Sequence, residues 1–193
     1  MENRFDKRKM RFMQNGLTYQ TSFMKDSYFI CKDNLQIGKL YKAEWLGATI
    51  DATINEHSFR FVSKGFFRPA ISITDKKTKH IIGTVAINNF FKFSPSATLS
   101  LINNKCYAWT TKGIFSFGWK WVDLANEQII ATSTEPLDIL GQSGTIELPQ
   151  QNEQTELLIA LGIHLRNVVQ RKTVMTRIIA FVSLTLSLLN HVK

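Results

Sequence analysis

Gly113 and Gly118 stand at the spacing of a loop that cradles phosphates, but Trp119-Lys120 follows where such a loop places a lysine and a hydroxyl. Without those two side chains nothing would hold β- and γ-phosphates and magnesium. Leu140-Gly141-Gln142-Ser143-Gly144 sets a serine among glycines, as a nucleophile elbow does. It lacks the second spaced glycine and the strand-to-helix setting, so it reads as a turn. Asp51 and Glu56 could in principle divide acid and base roles, yet carboxylates on a strand and in a turn are ordinarily solvated. His57, His80, His164 and His191 show no metal-ligand spacing with one another or with Cys31 and Cys106. The expectation is therefore no catalytic residue, no metal ligand and no cofactor.

Two other groups could bind rather than react. Lys112-Gly113-Ile114-Phe115-Ser116-Phe117 and Lys64-Gly65-Phe66-Phe67 echo the signature by which aromatics stack on RNA bases. An RNA-recognition fold needs two helices between its strands, and no helical pattern lies there. Aromatics alternating with small residues more often fill a barrel, so nucleic-acid binding ranks third among the readings. The basic set Arg166, Arg171, Lys172 and Arg177 is the most suggestive cluster. It either compensates a helix dipole and is solvated, or it meets an anionic surface, because an apolar stretch follows it directly.

The elements that would position these residues follow from pattern. Between Leu157 and Ile163 every residue is apolar or glycine, and a helix without a polar face must be surrounded by protein or lipid. Asn152 is a good N-cap, Glu153 and Glu156 lie where the dipole favours acids, and Arg166, Arg171 and Lys172 lie where it favours bases. From Leu157 to Leu165 the rod is about 13 Å long, too short for a bilayer. The helix, 153–169, reads as a core plug carried by Leu157, Leu158, Leu161, Gly162 and Leu165.

Before it, short alternating segments are separated by turn residues. Examples are Ala70–Thr74 and His80–Asn88 around a charged turn, Thr98–Ile102 and Cys106–Thr110 around Asn103-Asn104-Lys105, and Gly144–Leu148 ahead of Pro149. The first such segment is Tyr28–Cys31. Spacings near ten residues indicate an all-β sandwich or barrel. The apolar helix suits a barrel, whose inward faces need cover.

Length and composition fit one domain: 193 residues, 44% hydrophobic and 20% charged. The net charge of +9 is unusual and predicts anionic partners, either nucleic acid or acidic lipid. The basic segment 1–27 reads either as a partly ordered arm or as a contact to a membrane or nucleic acid. No apolar run follows its start, so no secretory signal is expected, and two cysteines suggest free thiols in a reducing cytosol. Residues 170–193 form a basic linker and an apolar tail, with Ile178–Leu189 uncharged. As a helix this stretch is roughly 18 Å against a ~30 Å hydrocarbon core, so it either packs on protein or enters a membrane, marginally spanning it.

The succession of strand pairs, the run Trp119, Trp121, Val122 and Asp123, the following Ile129-Ile130-Ala131, and the helix Leu157–Ile163 together resemble the tubby C-terminal-like fold. That group includes the LURP-one-related proteins and phospholipid scramblases. The resemblance implies a closed antiparallel barrel of about twelve strands over 28–169, with the helix on its axis. It also implies lipid binding by a basic surface. The acidic calcium segment and the cysteine-rich stretch of scramblases have no counterpart here, so scrambling is not expected.

The expected protein is thus mainly β: a closed antiparallel β-barrel around a C-terminal hydrophobic helix, followed by an apolar tail helix. Its expected role is non-enzymatic, binding acidic phospholipid through Arg166, Arg171, Lys172 and Arg177 and the tail, at a membrane facing the cytoplasm. The competing expectation is a soluble module whose tail pairs with a protein partner.

Overall fold

The computed structural model describes residues 16–21, 27–44, 48–65, 70–88, 95–112, 118–135 and 143–170. Within them the chain forms β1 (Leu17–Thr21), β2 (Ser27–Lys32), β3 (Leu35–Lys42), β4 (Thr49–Ile54), β5 (His57–Lys64) and β6 (Ala70–Asp75). These are followed by β7 (Ile81–Asn88), β8 (Ser96–Leu101), β9 (Cys106–Thr111), β10 (Trp119–Asp123), β11 (Ile129–Thr134) and β12 (Ser143–Glu147). A helix, α1, occupies residues 155–170. Each strand pairs antiparallel with its sequence neighbours, and β1 pairs with β12, with Leu17 opposite Ile146 and Tyr19 opposite Gly144. The sheet is a closed twelve-stranded barrel, which leaves no unpaired edge.

The alternation that marked the strands is the alternation of inside and outside. In β7, Gly83, Val85 and Ile87 are buried while Thr84, Ala86 and Asn88 are exposed. Hairpin chemistry sets the register. Asp33 and Asn34 both take positive φ, 49° and 67°, as a two-residue turn matched to strand twist requires. The β6–β7 and β10–β11 hairpins share one design. Asp75 Oδ1 accepts from Lys77 N at 2.7 Å, and Asp123 Oδ1 accepts from Ala125 N at 2.9 Å. Lys79 and Glu127 then turn the chain with φ of 62° and 59°.

α1 runs inside the barrel. Residues 157–166 are all buried, and the apolar ones, Leu157–Leu161, Ile163 and Leu165, join the inward side chains of the strands in one core. On one wall the His164 ring stacks on Phe61 of β5, with centroids 5.5 Å apart. On the facing wall Gly162 lies against Trp119 and Trp121 of β10, where an added Cβ would come within 2.7–2.9 Å of indole atoms. Leu157 is 2% exposed, and Leu158, Leu161 and Leu165 are 0% exposed. The helix start is capped reciprocally: Gln154 N donates to Asn152 Oδ1 at 2.9 Å and Asn152 N donates to Thr155 Oγ1 at 2.8 Å. Asn152 thus takes the N-cap place, and regular helix begins at 155 rather than 153.

The N-terminal boundary needs correction. Residues 1–27 were expected to form an arm outside a barrel starting at 28, but Leu17–Thr21 is β1, the strand that closes the barrel. Leu17 and Tyr19 point inward and Thr18 and Gln20 do not, but two apolar residues in a five-residue segment make a weak period. Residues 1–15 and 171–193, with the expected apolar tail helix, lie outside the described residues. Among the described residues no helix is long and apolar enough to cross a membrane.

Candidate functional site

Strand direction gives the barrel two unlike ends. Odd-numbered strands all run towards one end, here called the mouth, and even-numbered strands run away from it. The opposite end carries the hairpin turns 33–34, 55–56, 76–80, 102–105 and 124–128. α1 starts at this hairpin end. There Glu156 accepts from Asn55 Nδ2 and lies 2.6 Å from His57 Nδ1, while Glu153 pairs with Lys105. Hydrogen bonding from Lys105 holds the Glu153 carboxyl below its ordinary value, and the same bond holds Lys105 above its own. These contacts pin the first turn of the plug to the β4–β5 and β8–β9 hairpins.

At the mouth the helix ends on a buried polar cluster. Arg166 Nε donates to Glu135 Oε2 at 2.8 Å and Nη2 donates to the same oxygen; Tyr19 Oη donates to Glu135 Oε1 and lies 3.5 Å from Ser133 Oγ. The side chains of Arg166 and Glu135 are 4% and 0% exposed. Burial lifts the Glu135 carboxyl above the usual range, against the pull of Arg166 and the Tyr19 bond. Burial pulls the Arg166 guanidinium down, but the Glu135 charge more than restores it, so arginine stays protonated. Burial, and then the Glu135 charge, pushes the Tyr19 phenol far up and keeps it neutral.

This placement changes the reading of the basic cluster. Arg166 was grouped with Arg171, Lys172 and Arg177 as a cationic surface, but it is buried and committed to Glu135. Its position near a helix C-terminus looks like dipole compensation in sequence; only barrel closure brings a carboxylate 31 positions away against it. Arg171, Lys172 and Arg177 lie outside the described residues. Glu135 and Tyr19 were not singled out in the sequence. A lone acid before Pro136, at the end of an otherwise uncharged strand, was the available sign.

The other chemistry-bearing residues are dispersed. Asp51 lies on the outer face of β4, 3% exposed, where Arg60 Nε and Nη2 donate at 2.8 and 3.0 Å and Lys76 Nζ donates at 2.6 Å. The Arg60 hydrogen bond, and then Lys76 against the cost of burial, holds its carboxyl below the ordinary range. Glu56 is in the β4–β5 turn, bonded to neither Arg60 nor Lys76 in this network. Lys39 lies over the Phe29 and Tyr41 rings at 5.6 and 5.3 Å, also outside the barrel. Ser143 opens β12 rather than a strand-to-helix turn, and Gly144 is required there because a Cβ would strike the Tyr19 ring at 2.7 Å. Among the described residues no group of three or more His, Cys, Asp or Glu could hold a metal ion. Cys31 and Cys106 are free.

Comparison with protein-family models, with curated proteins and with solved structures gives no match for this chain.

Proposed function

We propose that this chain is a non-enzymatic, membrane-associated barrel that binds acidic phospholipid at a membrane facing the cytoplasm. The observation that carries the reading is that the buried helix α1 runs to residue 170, directly ahead in sequence of a basic stretch and then an apolar one. Inward side chains from all twelve strands and from α1 form one core. In sequence, the apolar stretch 178–189, preceded by Arg171, Lys172 and Arg177, matches the paired signals, basic and apolar, that stable membrane attachment uses. The net charge of +9 points to an anionic surface. The twelve-stranded barrel around a buried helix supports placing the chain with the tubby C-terminal-like group, whose resemblance rests on Trp119, Trp121, Val122 and Asp123.

Flotation with vesicles tests the reading. The full chain should float with phosphatidylserine-containing vesicles at both ~0.1 M and ~1 M salt, because screening weakens only the electrostatic part. A chain ending at Gln170, which keeps α1 whole, should associate weakly and only at low salt. Failure of the full chain to float would put the competing reading in front, a soluble module whose tail pairs with another protein.

A further inference from the structure

Trp109, Trp119 and Trp121 stand together on the inner wall of β9 and β10, and none is exposed. Trp121 pairs across the strands with Trp109, and Trp119 pairs with Thr111. Trp119 and Trp121, two apart on one strand, face the same way. Among the described residues, each of the three indole Nε1 atoms is buried without a hydrogen-bond partner, and so are Thr111 Oγ1 and Arg166 Nη1. We infer that this wall and Arg166 form an interior binding site for a small monovalent anion of the halide class, such as chloride, held by indole and guanidinium N–H donors. The site is independent of any membrane attachment.

Strand register and helix pitch bring the donors together. Gly162 of α1 lies against the wall, where a Cβ would fall 2.9 Å from Trp121 Nε1 and 2.7 Å from the Trp119 ring. Arg166 follows one turn later on the same helix face, and side chains of a helix lean back towards its N-terminus. Its Nε and Nη2 are taken by Glu135, which leaves Nη1. Lys120 pairs with Thr132, so Trp119 stands across from Ser133, whose Oγ is 3.5 Å from Tyr19 Oη. The indole wall thus runs directly into the Tyr19–Glu135–Arg166 cluster.

Donor chemistry selects the guest. Buried N–H groups are almost always paired, with protein, ordered water or a bound ion. An indole only donates and a guanidinium cannot accept, so four nitrogens call for acceptors and Thr111 alone can serve either way. A halide accepts from several donors and has no hydrogen of its own to place, whereas a water adds two. Size argues the same way: the indoles already touch the helix at Gly162, so the guest is one atom across rather than a phosphate or carboxylate. Charge balance then involves Glu135. Arg166 is already neutralised by it, and an added anion is best accommodated once the carboxyl takes up a proton. Burial lifts that carboxyl above the ordinary range, and the titratable groups acting on it are Arg166 from α1 and Tyr19 from β1. Protonation of Glu135 turns the guanidinium charge over to the anion, so binding strengthens as pH falls.

Bromide, a heavier halide that quenches indole fluorescence, is the probe. In full-length Trp45→Phe protein the remaining tryptophans are the three of the wall. Sodium bromide titrated against sodium gluconate at constant ionic strength should quench their emission to a plateau, and the midpoint should be lower at about pH 5.5 than at about pH 7.5. Trp119→Phe or Trp121→Phe, which keeps a ring but removes an N–H, should weaken the midpoint about tenfold, the scale of one hydrogen bond to a charged group. Glu135→Gln should tighten binding and abolish its pH dependence, which a loss of packing would not do. Crystals soaked in bromide should show an anomalous peak within hydrogen-bond reach of Arg166 Nη1 and an indole Nε1. Quenching that stays linear in bromide, or a midpoint that neither pH nor Glu135→Gln moves, overturns the site. A map with water or nothing at that place overturns it too, and a peak without a plateau in solution means binding at crystal concentration only and counts against it.

Discussion

Arg166 and Glu135, 31 positions apart, form an ion pair closed to solvent, with Nε donating to Oε2 at 2.8 Å where the plug helix leaves the barrel. One partner belongs to the helix and the other to the end of β11, so the pair fixes how far the helix is inserted. It is a register device, a role in which buried charge is better attested than in adding net stability.

Breaking one half of this pair should therefore be worse than removing both. Arg166→Met leaves a buried carboxylate and should cost about 3–5 kcal/mol in urea unfolding, with Arg166→Met/Glu135→Met recovering most of it. The pH dependence has a definite sign. The folded-state carboxyl of Glu135 lies above its unfolded value, so its contribution is greatest below the ordinary glutamate range and is lost as pH rises through the folded value. The Arg166→Met defect should shrink on acidification. A defect independent of pH would show that Glu135 is not what the arginine serves.

Gly162 should accept no side chain. Gly162→Ala gains helix propensity of up to about 1 kcal/mol but drives a Cβ to 2.7 Å from the Trp119 ring. Strain of about 1–3 kcal/mol should win. The melting temperature should fall and tryptophan emission should shift, and an Ala variant more stable than the parent would mean the indoles can yield.

Asp51 provides the opposite pH signature. Its folded-state carboxyl is held below the unfolded value, first by the Arg60 hydrogen bond. Its contribution is present above the unfolded value and is lost as pH falls through the folded one. Asp51→Asn should destabilise the protein near neutrality and converge on the parent in acid, as read from paired denaturation curves. Curves that stay parallel would place the acid sensitivity elsewhere.

Closure depends on β1. A chain beginning at Gly16 should melt as the parent does, whereas one beginning at Ser22 exposes the β2 and β12 edges and should aggregate. Light scattering during expression and refolding separates the two, and a monomeric, cooperatively melting chain from Ser22 would show that the β1 pairings are dispensable.

Much of this architecture was legible because it repeats locally. Turn residues such as Asp33-Asn34 and Asn103-Asn104 bracket strands whose apolar residues alternate, and Leu157–Ile163 declares a buried helix by lacking any polar face. β1 was not legible, because Leu17 and Tyr19 alone do not make a period. The Glu135–Arg166–Tyr19 cluster was not legible either. Its members sit at positions 19, 135 and 166, and no local pattern links residues that meet only when the first strand, the eleventh strand and the helix share one barrel mouth. The same limit misassigned Arg166, which sequence groups with Arg171 and Lys172 while its partner in space is a carboxylate.

Leu17 pairs with Ile146, and the helix that fills the interior comes later still, at 155–170. During synthesis the ribosome delivers eleven strands before the strand that completes the ring, and the ring before its filling. The early strands can zip into hairpins as they emerge, but a growing sheet with two open margins and an uncovered greasy concave face is the species that chaperones bind. Folding of this protein is thus committed at its last steps: a stop between Glu147 and Thr155 yields a hollow shell, and an earlier one an open sheet, rather than a smaller barrel.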